Sequence, residues 1–276
     1  MSFPLSMPIA GPLSHPITRY EGGGVWTPVQ LFAAGGQGVW YDPSDLSTLW
    51  QDTAGTVPVT ADGDSVARVD DKSGGGKHLI QASGPSIPKY KTDGTLRWLL
   101  FDGTDDSYGT SEAVDLSASD QMTACAGVLK ASEAALGAIV EFSPTPGANN
   151  GAFNLFGPRA GTGGSYSYQS KGTVAVDAIW ASVAAVAPNT SVLTGLSDIS
   201  ADYARLRVNG VQQAEVTTDQ GTGNFGNYTL FVGRRNNTSL PFNGRMFSIV
   251  VINRVLSGAE LAQLETYSGA KTGLVL

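Results

Sequence analysis

The 276-residue sequence is poor in charge, cysteine and histidine. Charged residues are only 15% of it, which disfavours helix-rich architectures with long ion-paired surfaces. A single cysteine, Cys125, excludes an intrachain disulfide framework and a cysteine-rich metal site, and fits synthesis in a reducing compartment. It lies in the apolar run from Met122 to Leu129, where burial is expected. Only two histidines, His15 and His78, are available, so a serine or cysteine triad is hard to build. No serine occupies a Gly-x-Ser-x-Gly elbow, and Gly74-Gly75-Gly76 before Lys77 lacks the spacing of a phosphate loop and reads as a turn. Lysine and arginine number 17 against 24 acidic residues, for a net charge of -7. That balance offers no footprint for a nucleic acid. Neither a membrane-length apolar run nor a basic leader is present, so cytoplasmic synthesis without export is expected. No heptad pattern or repetitive shaft occurs.

What the chain has instead is punctuation: 35 glycines and 14 prolines, which suit many short strands joined by turns. Residues 1–24 read as a separate arm. Pro4, Pro8, Pro12 and Pro16 exclude helix there, and Phe3, Leu5, Met7, Ile9, Leu13 and Ile17 between them have no periodic partner within the segment. They are expected to pack on a neighbouring subunit, with Gly22 to Gly24 as the hinge; the alternative is a frayed tail. Residues 25–276 form the body, with 25–95 read as an irregular lead-in packed on a sandwich. Within it Asp42 is expected to cap a helical turn with Pro43 at its first position, so that Leu46, Leu49 and Trp50 face inward.

Strands are predicted at 96–101, 121–130, 136–142, 151–156, 190–199, 203–208, 211–216, 227–232 and 245–253. Leu206 and Val208 alternate with Arg205 and Arg207, and Asn209-Gly210 then supplies the two positive-φ positions of a type I′ hairpin. Ser257-Gly258-Ala259-Glu260 has capping-box spacing, followed on one helical face by Leu261, Leu264 and Tyr267. A short C-terminal helix follows from that pattern.

Several segments, in order, resemble the laminin-G-like form of the concanavalin A-like lectin/glucanase superfamily, as found in tailed-bacteriophage virion proteins. They include Gly38-Val39-Trp40-Tyr41-Asp42-Pro43-Ser44-Asp45-Leu46, Asp71-Lys72-Ser73-Gly74, Phe101-Asp102-Gly103-Thr104-Asp105-Asp106, Val208-Asn209-Gly210, Phe242-Asn243-Gly244-Arg245 and Leu256-Ser257 through Tyr267. The resemblance implies an all-β antiparallel jelly-roll sandwich, with an extended N-terminal arm and the C-terminal helix. It also implies faces or rim loops that often bind glycans. Glucanases on this fold carry a Glu-x-Asp-x-x-Glu strand, which is absent here, so no enzyme is expected.

For glycan contact the candidates are Asn149, Asn150, Tyr166 and Tyr168, because sugars are held by aromatic stacking and amide hydrogen bonds, and the two tyrosines share one strand face. The competing reading is a solvated sheet surface or a subunit contact. Asp102, Asp105 and Asp106 are a candidate calcium cluster, since hard cations take several oxygen ligands; turn-forming aspartates explain them equally. No other cofactor is expected. Asn224, Asn227, Asn236 and Asn237 read as turn residues. The functional expectation is a virion structural protein (decoration, collar, fibre or baseplate-associated), homo-oligomeric and anchored to other virion proteins by its arm. The alternative is a lectin module for a host-surface glycan; a polysaccharide-degrading enzyme comes last.

Overall fold

Runs of β-branched and aromatic residues broken by turn residues fold into antiparallel strands along almost the whole body. The computed structural model describes residues 25–33, 35–159 and 163–276. The anchoring residues Phe3, Leu5, Met7, Ile9, Leu13 and Ile17 lie outside the described residues. In chain order the strands are β1 (Gly38–Tyr41), β2 (Leu49–Trp50), β3 (Arg68–Val69), β4 (Leu79–Ile80), β5 (Lys89–Thr92), β6 (Arg97–Asp102), β7 (Tyr108–Thr110), β8 (Val114–Asp115), β9 (Gln121–Lys130) and β10 (Ala138–Phe142). They continue with β11 (Ala152–Phe156), β12 (Ser165–Lys171), β13 (Ala175–Ala181), β14 (Asn189–Asp198), β15 (Tyr203–Val208), β16 (Val211–Val216), β17 (Asn227–Tyr228), β18 (Leu230–Val232) and β19 (Asn243–Ile252). The α-helices are α1 (Val29–Phe32) and α2 (Gly258–Thr272).

Two sheets form the sandwich. An eight-stranded sheet runs β16-β15-β14-β9-β19-β6-β5, with β1 also paired to β19; a nine-stranded sheet runs β13-β12-β11-β10-β18-β7-β4-β3-β2. Between them lies the main core, where Ala124, Ala126 and Val128 of β9 meet Phe142, Phe153 and Tyr168 of the facing sheet. The other face of β9 is covered too. Cys125, with Val192, Leu196 and Val250, packs under Leu31 and Phe32 of α1 and Leu261 and Leu264 of α2. Apolar patterning on both faces of β9 is therefore what a strand buried between a second sheet and a helical layer requires. The thiol of Cys125 is buried and pushed up to about 12, mainly by desolvation.

α2 begins at the expected capping box: the Ser257 hydroxyl accepts from Glu260 N at 3.4 Å, and Ser257 N donates back to Glu260 Oε2 at 3.0 Å. Gly127 of β9 lets the helix come close, because a Cβ there would stand 2.8 Å from Thr272 Cγ2. The hairpin also forms as read, with Asn209 and Gly210 at φ 50° and 79°.

The lead-in needs three corrections. Residues 25–95 are not an irregular layer laid on the sandwich: β1 and β5 belong to one sheet and β2, β3 and β4 to the other. The short helical turn is a 3-10 turn at Leu46–Thr48 capped by Asp45, whose Oδ1 accepts from Ser47 N at 3.2 Å; Asp42 instead closes the preceding turn through Ser44 N at 3.0 Å. Leu49 faces inward, but Trp50 is the next residue of the same strand and so points to the opposite, outer face.

Candidate functional site

Tyr166 and Tyr168 do share one face of β12, but it is the inner one. Register places Val140, Leu155, Tyr168 and Ala178 side by side across β10 to β13, all of them core residues. Tyr168 reaches across the sandwich to Gly195 of β14, where a Cβ would lie 2.1 Å from its ring. Tyr166 is fixed from several sides. Its hydroxyl donates to Asn189 Oδ1 at 2.8 Å, Trp180 stacks on its ring at 6.4 Å, and the Lys130 ammonium sits 4.4 Å from its centroid. Both rings are fully buried, which corrects their assignment as a sugar-stacking platform. Asn149 and Asn150 lie apart from them, on the connection from β10 to β11. Asn149 Nδ2 donates to Ser143 Oγ at 2.8 Å, and the Asn150 carbonyl accepts from the Tyr228 hydroxyl at 2.9 Å. Asn150 keeps an exposed side chain at that rim.

The polar residues that sequence reasoning missed are on the outer face of the same strands. Opposite the inner row, Asp177, Gln169, Asn154, Glu141 and Phe231 are paired in succession across β13, β12, β11, β10 and β18. The row continues through Gly109, Ile80 and Arg68 to Trp50. Asn154 Nδ2 and Gln169 Oε1 are 2.8 Å apart, and the alternative orientation of the Asn154 amide donates to Glu141 Oε2 at 2.9 Å.

Two arginines complete this face. Arg235 Nε donates to Glu141 Oε2 at 2.6 Å and Arg159 Nε to Asp177 Oδ2 at 3.0 Å. Their guanidinium groups lie over one ring, that of Phe156, at 5.6 and 5.9 Å from its centroid. Burial raises the Glu141 carboxyl against the opposing pull of Arg235. Among the described residues, three oxygens buried on this face have no hydrogen-bond partner: Glu141 Oε1, Ser167 Oγ and Asp177 Oδ1. Strand-borne carboxylates beneath hold guanidinium groups that come from the connections after β18 and β11.

Asp102, Asp105 and Asp106 are brought together where β6 turns toward β7, with one carboxylate oxygen from each within 4.8 Å of the others. Each also serves the turn itself. Asp102 Oδ1 accepts from Thr104 N at 2.7 Å, Asp106 Oδ2 from Asp102 N at 2.9 Å, and Asp105 Oδ2 from Ser86 Oγ at 2.9 Å. Three carboxylates fit a hard divalent cation, but they supply only part of the roughly six to eight oxygens that calcium takes.

Two antiparallel sheets with a helical layer on one of them define a lectin-type jelly-roll sandwich. Residues 102–262 match the model of the concanavalin A-like lectin/glucanases superfamily, in its laminin-G-like form, and the chain belongs to that family. No curated protein matches it. Among solved structures, the chain is similar to the botulinum neurotoxin serotype D binding domain, at 10% identity and a TM-score of 0.57, covering 84% of this chain and 52% of that one. It is similar to the type G receptor-binding domain at 10% identity and a TM-score of 0.54, covering 75% and 51%. It thus spans about half of each toxin domain. The Ruminococcus gnavus IT-sialidase CBM40 bound to α2,3-sialyllactose aligns at 22% identity over 51% of this chain and 80% of its own, with a TM-score of 0.40. At these identities the likeness is one of fold.

Proposed function

We propose that the protein is a non-enzymatic carbohydrate-binding module carried on a tailed-bacteriophage particle, with the outer face of β10 to β13 and β18 as its glycan surface. One observation carries this reading. On that face half-buried Gln169 and Asp177 lie beside the partly exposed Arg235 and Arg159, with Asn154, Glu141 and Phe156 buried beneath them, on the sheet that neither helix covers. Saccharides are recognised by a few such convergent amide and charged groups. The virion setting is supported by the resemblance of the lead-in segments to phage proteins. Non-catalytic action is supported by the sequence, which has no Glu-x-Asp-x-x-Glu strand, and by Glu141 and Asp177 each being held by an arginine. A glycan array probed with the full chain and with Gln169→Ala tests the reading. The expected result is binding to a defined set of glycans, weakened in a variant that melts like the parent. Absence of binding to any glycan, or unchanged binding by Gln169→Ala and Asp177→Asn alike, overturns it.

A further inference from the structure

We infer that the ligand of this face is an acidic saccharide, one whose carboxylate or phosphate group is gripped by Arg235. The inference rests on the glycan-binding reading and adds the ligand's chemical class.

Both ion pairs point the same way. In the Glu141–Arg235 pair the carboxylate side chain is 0% exposed and the arginine side chain 33%; in the Asp177–Arg159 pair the values are 17% and 31%. Solvent above the sheet therefore meets the positive ends, while the negative ends are screened beneath them. The molecule as a whole carries a net charge of -7, so a partly exposed cation over a buried carboxylate runs against its general surface. Phe156 lies beneath the Arg235 guanidinium, its ring centroid 5.6 Å from the guanidinium carbon, an attractive cation–π contact. Arg235 uses only Nε to reach Glu141, and among the described residues neither of its Nη groups has a hydrogen-bond partner. A planar fork held at its inner nitrogen and open at its outer ones is the donor geometry that carboxylate and phosphate oxygens accept.

Glu141 acts on the ligand through Arg235 and is a positioning residue. Its side chain is fully buried, so it has no direct route to a saccharide. Lys171 is not part of the grip, because its ammonium donates to the Gly147 carbonyl at 2.7 Å.

Calorimetry with the full chain tests the inference. The probes are sialyllactose, an oligogalacturonate and a phosphorylated core oligosaccharide, each beside its uncharged parent: lactose, the methyl ester and the dephosphorylated sugar. At least one acidic probe should bind about ten-fold or more tightly than its parent, as a charge-assisted hydrogen bond implies. That advantage should shrink as salt rises, and the carboxylate and phosphate arms separate the two sources of charge. Because Arg235→Met alone strands a buried carboxylate, the variant is Arg235→Met with Glu141→Gln, accompanied by a melting curve. It should lose the acidic preference and keep its fold. Equal binding of acidic and neutral partners, or an unchanged preference in the double variant, refutes the acidic ligand while leaving glycan binding in place. Failure of every saccharide to bind removes both.

Discussion

Asp106 is the residue at which the solution pH should act most directly on stability. Its carboxyl is pushed up to about 6, first by burial and then by the neighbouring charges of Asp102 and Asp105. A group whose folded value lies above its unfolded one contributes stability that is complete below the unfolded value, near 3.8, and is lost as pH rises through about 6. Carboxylates with depressed values act in the opposite sense at lower pH. Thr56 and its neighbours hold Asp52 at about 2, and Arg254 holds Glu260 at about 2, so neither intrudes between pH 5 and 7. The midpoint of melting should therefore be a few degrees higher at pH 5 than at pH 7. Asp106→Asn should flatten that difference, since an amide still accepts from Asp102 N and carries no charge. The turn hydrogen bonds at Asp102, Asp105 and Asp106 also lead us to expect that calcium is dispensable to the fold. A chelator should then move the midpoint by less than about 4 °C, which is ~1 kcal/mol for a chain of this length. Gly195 offers a different residue-scale test. Adding a methyl 2.1 Å from the Tyr168 ring overpacks the core, and Gly195→Ala should cost about 1–3 kcal/mol in chemical denaturation. Gly147→Ala, with nothing within 4 Å, is its neutral control.

Among the elements, α2 is the one whose start is dictated most locally. Ser257 and Glu260 satisfy each other's backbone donors, and Arg254 braces Glu260 with bonds of 2.9 and 2.7 Å. Ser257→Ala should destabilise the protein by about 1 kcal/mol, read as a lowered denaturation midpoint with the slope unchanged. The same locality explains what could be read from sequence. Capping box, Asn-Gly hairpin and the continuous apolar run of β9 depend on residues next to one another, and all three stand where they were expected. β13 escapes the sequence reading, because in the edge strand Ala175–Ala181 the strand formers Val176, Ile179 and Trp180 are spaced by alanines and Asp177 without a clean alternation. The tyrosines of β12 show the limit more sharply. Alternation places Tyr166 and Tyr168 on one face, yet which face is inner depends on Gly195 and on register with β11 and β13, none of it local. The outer row has the same origin. Glu141, Asn154, Gln169, Asp177 and Phe231 come from five strands, and only sheet order makes them neighbours.

At the scale of the whole molecule, the sandwich has two unlike sides. The eight-stranded sheet carries α1 and α2 on its outer face, and Trp26, near the first described residue, meets Tyr267 of α2 edge-on at 6.2 Å. Asp42 ties the lead-in to the same helix, accepting from the Tyr267 hydroxyl at 2.8 Å and the Lys271 ammonium at 3.0 Å. The arginine-bearing face belongs to the other sheet. Ordering extended residues costs roughly 1–2 kcal/mol each, which burial of Phe3, Leu5, Met7, Ile9, Leu13 and Ile17 against a partner can offset. Among the described residues the sandwich core runs from Leu31 to Leu264, and the anchoring reading gives residues 1–24 no part in it. A chain truncated to residues 25–276 should therefore melt within a few degrees of the full chain and keep its saccharide binding, yet fail to enter particles. Mixing tagged full and truncated chains into an assembling particle and weighing their recovery measures this. Unfolding of the truncated body, or its undiminished incorporation, would show that residues 1–24 belong to the core or are idle, and the anchoring role would be abandoned.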